Sequence, residues 1–87
     1  MTAYLEPYIG STEFVVFTGR ACPYCVGATR WLEARALAFV EVDIDEHHLR
    51  RPIVEDTGHR TVPAIFDLRD TTPVFVGGFD ELRAYAR

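Results

Sequence analysis

Glu13-Phe14-Val15-Val16-Phe17-Thr18-Gly19-Arg20-Ala21-Cys22-Pro23-Tyr24-Cys25 runs from a strand signal into a helix start. Glu13 to Phe17 is rich in β-branched and aromatic residues, which predicts a strand. From about Pro23 to Arg35, residues Ala28, Trp31, Leu32 and Arg35 recur at three- and four-residue spacings, which predicts a helix with one largely apolar face. Pro23 suits the first turn of that helix, where a missing N–H costs nothing. Cys22 then stands at the helix N-terminus. Unpaired backbone N–H groups and the helix dipole stabilise an anion there and lower a thiol pKa from about 8.5 towards about 3.5–7.5. Arg20 adds a nearby positive charge. The thiolate is the attacking species, so Cys22 reads as a nucleophile and Cys25, one turn further in, as the resolving thiol.

These two are the only cysteines of the chain. A pair two residues apart closes too small a loop to restrict the unfolded chain much, so it does not read as a structural staple. A redox dithiol and half of a metal site remain. His47 and His48 complete a Cys₂His₂ zinc set on paper, but adjacent histidines on a helix point in different directions, and no metal ligands are assigned. Asp43 and Asp45 read better as a strand end followed by a helix cap than as a metal pair.

Outward from this stretch, composition sets bounds. The chain has 87 residues, 13 acidic and 9 basic, a formal net charge of −4 and 48% hydrophobic residues. That length predicts one domain, and the apolar fraction suffices for a core. The mild negative charge argues against nucleic acid as a partner. No apolar run approaches the roughly 20 residues of a membrane span, so no membrane association is expected. Met1-Thr2-Ala3-Tyr4-Leu5-Glu6 lacks the basic and then apolar regions of a signal peptide, and a cytoplasmic location is the default expectation. Every basic residue is arginine, and lysine, asparagine and glutamine are absent. That excludes lysine Schiff-base chemistry, a P-loop lysine and amide side chains as catalytic donors.

Residues 1–12 include Pro7 and Gly10, show no clear period and read as an N-terminal extension; residues 13–87 read as the domain. Val40 to Ile44 alternates and predicts a second strand. Asp45 is expected to cap a following helix, with Glu46 in its first turn. Pro52 interrupts that helix, by a kink or by a stop and restart, and Gly58 ends it. Thr61 to Asp67 reads as a third strand with Pro63 near its start, where an edge or first-residue position is expected. Arg69 to Thr72 is a turn and Pro73 to Val76 a fourth strand, a hairpin partner of the third. Gly77-Gly78 allows close backbone approach or positive φ, and Phe79 to Arg87 reads as a closing helix. The order βαβαββα predicts an α/β fold, a four-stranded mixed sheet flanked by helices.

Three motifs carry a family resemblance: Cys22-Pro23-Tyr24-Cys25, Thr61-Val62-Pro63 and Gly77-Gly78-Phe79-Asp80. In order and approximate spacing the chain resembles the dithiol glutaredoxins, thioredoxin-like proteins, over about residues 13–86. The resemblance implies a glutathione-dependent thiol–disulfide oxidoreductase with no bound cofactor and glutathione as co-substrate. Its partners would be glutathionylated or disulfide-containing proteins, and a monomer is expected. By this resemblance Pro63 is a cis-proline facing the dithiol, beside Thr61. The backbone of Val62 pairs with the cysteinyl part of glutathione, and Tyr24 lines the groove. Arg50, eleven residues before Thr61, reaches the glycyl carboxylate. Beyond Gly78, the N–H groups of Phe79 and Asp80 meet the γ-glutamyl carboxylate, and the Asp80 carboxylate accepts from the γ-glutamyl ammonium, with Glu81 as the alternative. The chain departs from the family pattern at Gly19, where lysine is frequent, with Arg20 as the replacement charge, and at Phe79, where cysteine is frequent. Two other readings use the same cysteines: a thioredoxin-like electron donor reduced by a flavoprotein reductase, and an iron–sulfur or metal-binding module.

Overall fold

A computed structural model describes residues 3–85. Its strands are β1 (Phe14–Thr18), β2 (Phe39–Asp43), β3 (Ala64–Asp67) and β4 (Val74–Gly77); its helices are α1 (Pro23–Ala34), α2 (Arg50–Thr57) and α3 (Phe79–Ala84). The sheet order is β2-β1-β3-β4. β1 runs parallel to β2, with Phe14 opposite Phe39, and antiparallel to β3, with Phe17 opposite Ala64. β3 and β4 form the expected antiparallel hairpin, with an irregularity between Ile65 and Phe66. This is a thioredoxin-like mixed sheet.

β1 and β3 occupy the two central positions, so their residues are buried on both faces and the sequence runs continuously apolar rather than alternating. Period-2 side-chain direction then sorts them into two cores. Phe14, Val16 and Ile65 meet Ala28 and Leu32 of α1 and Leu82 of α3. Val15, Phe17, Ala64 and Phe66 meet Ile53 of α2, together with Val42, Ile44 and Leu5.

Leu5 belongs to the stretch read as an extension. It lies in a 3-10 turn at Ala3–Leu5 and is fully buried. Tyr4 stands edge-on to Phe17 and Phe66, and its hydroxyl donates to Asp56 at 2.8 Å. Burial and then the Asp56 carboxylate push the Tyr4 hydroxyl well above its ordinary pKa. The absence of a clear period in residues 1–12 reflects irregular backbone, not a lack of apolar anchors.

The expected helix start at Asp45 is corrected. Asp43 Oδ1 accepts from Asp45 N and Glu46 N, both at 2.9 Å, which folds the end of β2 into a turn. His48 takes φ 54°, and the helix begins at Arg50. Pro52 falls within the first turn of α2, where its N–H would have had no partner. There is therefore neither a kink nor a restart. Gly58 stops the helix at φ 76°, as expected. β3 starts at Ala64 rather than Thr61: residues 61–62 form a bend, and the Val62–Pro63 peptide is cis. β3 is not an edge strand. Pro63 lies just before its first residue, so no ladder bond is lost. α3 ends at Ala84, earlier than the expected Arg87, and residues 86–87 lie outside those described.

Candidate active site

Ala21, at φ 48°, turns the chain out of β1 and into α1. Cys22 is the N-cap of α1 in extended backbone conformation, and Pro23 is its first residue. Cys25 lies one turn on, its backbone N 3.1 Å from Cys22 Sγ. The two cysteines are joined by a disulfide, with Cα atoms 5.2 Å apart. Cys22 is half-buried and Cys25 buried. The sulfur open to attack or release is that of Cys22, and the covered one is that of Cys25. In the reduced pair, the Cys25 N–H and the helix N-terminus both favour a thiolate at Cys22.

The Thr61-Val62-Pro63 bend passes beside this sulfur: Cys22 Sγ is 3.6 Å from the Val62 carbonyl oxygen. A cleft of about 330 Å³ opens along the bend, lined by Tyr24, His59, Thr61, Val62, Pro63, Gly78, Phe79, Asp80 and Glu81. Eight of the residues singled out from sequence are thus brought together: Tyr24, Thr61, Val62, Pro63, Gly78, Phe79, Asp80 and the alternative Glu81. Tyr24 is exposed at the mouth. Gly19 faces the bend from the other side, where a Cβ would lie 3.2 Å from a Val62 methyl.

At the far wall, Glu81 Oε1 accepts from Gly78 N at 2.8 Å. This carboxylate is engaged with its own helix start. Asp80 is exposed and accepts from Arg83 at 2.9 Å. The Phe79 ring closes the wall by packing on α1 at Gly27. Gly27 carries no local signal for this role, because only the fold brings residues 27 and 79 together.

Arg20 and Arg50 do not line the cleft. The Arg50 guanidinium is paired with Asp45 through Nε–Oδ1 at 3.0 Å and Nη2–Oδ2 at 3.2 Å. That hydrogen bond, more than anything else, holds the Asp45 carboxyl below the usual carboxylate range, and the Arg20 charge adds to it. Both arginines therefore share the field of one carboxylate. Among the described residues no cluster of three or more His, Cys, Asp and Glu side chains is set to hold a metal, and no helix is long and apolar enough to cross a membrane.

Sequence reasoning missed two features. His59 forms part of the cleft wall. Asp67 is a fully buried carboxylate at the opposite end of β3. It accepts from Arg69 N, Nε and Nη2 at 2.9 Å and from the Tyr85 hydroxyl at 2.8 Å. Sequence pattern places Asp67 at the end of a strand, and only packing shows its burial.

A Cys-x-x-Cys disulfide at a helix N-terminus, facing a cis-proline bend on a thioredoxin-like sheet, defines a thiol–disulfide oxidoreductase. The chain belongs to the glutaredoxin family, whose model matches residues 14–69. A glutaredoxin from Pseudomonas aeruginosa is 35% identical over 74 residues, spanning 84% of this chain and 83% of that protein. The solution structure of a dithiolic glutaredoxin from Trypanosoma brucei brucei is 34% identical, with a TM-score of 0.74 over 92% of this chain and 82% of that one. A buckwheat glutaredoxin–glutathione complex is similar in fold, with a TM-score of 0.77 at 21% identity over 93% of this chain and 74% of that one.

Proposed function

We propose that the protein uses glutathione to reduce glutathione mixed disulfides and protein disulfides. The observation that carries this reading is the cleft running along the Val62–Pro63 bend to the start of α3, with the Val62 carbonyl oxygen 3.6 Å from the Cys22 sulfur. Its extent and chemistry suit a tripeptide thiol. An extended cysteinyl residue pairs with the Val62 backbone, the first N–H groups of α3 receive a carboxylate, and Tyr24 covers the mouth. The glutathione seen with the buckwheat relative supports the same reading.

In this reaction the Cys22 thiolate attacks the glutathione sulfur of a mixed disulfide. The protein thiolate leaves, and glutathione stays on Cys22. A glutathione thiolate then attacks that sulfur, giving oxidised glutathione and regenerating the Cys22 thiolate. Alternatively the Cys25 thiolate displaces glutathione and forms the Cys22–Cys25 disulfide, which two glutathione molecules reduce. Arg50 supplies a cation for the glycyl carboxylate once it exchanges Asp45 for substrate, and Arg20 adds positive charge beside the nucleophile. Asp80, or Glu81, accepts from the γ-glutamyl ammonium. Glutathionylated and disulfide-containing proteins are the partners, and the protein acts as a cytoplasmic monomer.

The test is turnover of a glutathione mixed disulfide with reduced glutathione as the sole electron source. Turnover is expected. No turnover, together with reduction of the disulfide by a flavoprotein thioredoxin reductase, would replace this reading by a thioredoxin-like one.

A further inference from the structure

Among the described residues, His59 is the one histidine that lines the cleft. Its place is fixed by four elements. The C-terminal residue of α2 anchors its backbone, with His59 N donating to Thr57 Oγ1 at 3.0 Å. On β4, Phe75 meets the ring edge-on at 5.4 Å between centroids. At the start of α3, a Cβ on Gly78 would lie 3.7 Å from the ring Cε1. At the bend, Nε2 is 3.1 Å from the Pro63 carbonyl oxygen and 3.3 Å from Thr61 Oγ1. A carbonyl only accepts, so the 3.1 Å contact requires the hydrogen on Nε2. The Nε2–H thus ties the Pro63 end of the bend to the residues that follow α2, with Thr61 Oγ1 beside the same nitrogen.

The residue between Thr61 and Pro63 is Val62, whose carbonyl oxygen lies 3.6 Å from Cys22 Sγ. We propose that His59 is a positioning residue, which holds the Val62 backbone at the height a disulfide substrate needs to pair with it beside Cys22. Pro63 has no N–H to pin itself, and Gly78, opposite, has no side chain that could. The Nε2–H is a polar side-chain restraint on this bend. Loss of a restraint on a substrate-pairing strand weakens binding, not sulfur chemistry.

The inference rests on the proposed function for the pairing of substrate with the Val62 backbone as well as for the choice of substrate, so a second assay runs free of glutathione. In the first assay the substrate is a glutathionylated peptide with glutathione as reductant. In the second it is an unstructured disulfide peptide, with dithiothreitol recycling the enzyme. His59→Phe keeps ring volume and the Phe75 contact but loses the donor. His59→Gln keeps a side-chain N–H. His59→Phe is expected to raise KM about three- to tenfold in both assays, the range one lost hydrogen bond produces. Its kcat should stay within about twofold, and His59→Gln should recover most of the loss. A His59→Phe variant with wild-type KM in both assays overturns the proposal, and so does a loss that falls on kcat and thermal stability without moving KM. A wild-type protein inactive with glutathione but active in the second assay defeats the proposed function while His59 is still judged on the second assay.

Discussion

Gly27 of α1 lies flat against the Phe79 ring: a Cβ at residue 27 would stand 2.8 Å from Cε2 and 3.1 Å from Cζ. A glycine inside a helix costs about 1 kcal/mol relative to alanine, and here it lets an aromatic residue close one wall of the cleft. Gly27→Ala gains helix propensity but pushes the ring aside, at a cost of about 1–3 kcal/mol. The expected result is a small change in stability and a raised KM for the mixed disulfide. In a Phe79→Ala background the same substitution should stabilise by about 1 kcal/mol. Denaturant unfolding of the four proteins completes the cycle, and strictly additive values would remove the contact as the cause.

The Asp45–Arg50 pair is exposed on both sides, and exposed pairs are weak enough to exchange partners. Asp45→Asn releases Arg50 for a substrate carboxylate and should lower the KM for glutathione about two- to fivefold. Arg50→Ala should raise it, with kcat unchanged. Steady-state kinetics at limiting glutathione checks both. Equal KM in all three proteins would make Arg50 an ordinary surface charge.

Asp67 links fold stability to pH. Burial pulls its carboxyl upward, but the Arg69 side chain and backbone, then the Tyr85 hydroxyl, outweigh this and hold it below the usual range. A carboxylate depressed in the folded state contributes stability above its unfolded pKa, about 3.9. That stability is lost as pH falls through the lower folded value. Asp67→Asn should therefore destabilise by about 1–3 kcal/mol at neutral pH, with the gap to wild type closing below about pH 4. A gap that stays constant from pH 7 to pH 3 would rule this out.

Leu5 anchors the segment ahead of β1 in the core beneath α2. Leu5→Ala should cost about 2–5 kcal/mol, the range for removing a buried leucine. Urea unfolding measures it, and a loss below about 0.5 kcal/mol would show that this segment contributes nothing to the core.

Cys22→Ser should abolish both reactions, since it removes the nucleophile. Cys25→Ser should keep reduction of glutathione mixed disulfides and lose reduction of protein disulfides by the dithiol route. Equal loss of the first reaction in both variants would reverse or erase the assigned roles.

Much of this was legible in the sequence because its signals are local. Glu13 to Phe17 reads as a strand from its own side chains, and Pro23 marks the first helical turn from its own ring. Cys22 and Cys25 read as a redox dithiol from their spacing together with their place at a strand-to-helix junction. The turn after β2 was misread because Asp45 looks like a helix cap; the side chain that captures the backbone N–H groups is Asp43, two residues earlier. Both residues are good caps, and the choice depends on where β2 releases the chain.

By itself, the sequence determined the element order, the mixed sheet, the dithiol and the motif residues that meet in the cleft. The first three follow from short-range pattern, and the last from the family resemblance that the contiguous motifs carry. Only the tertiary structure decided what lies between distant residues: Gly27 under Phe79, His59 on Pro63, Tyr85 on Asp67, Leu5 beneath α2. These are contacts of packing, in which side chains far apart in the chain compete for the same volume or the same hydrogen-bond partner. No local pattern encodes the outcome of that competition, because it exists only once the sheet has brought the competitors together.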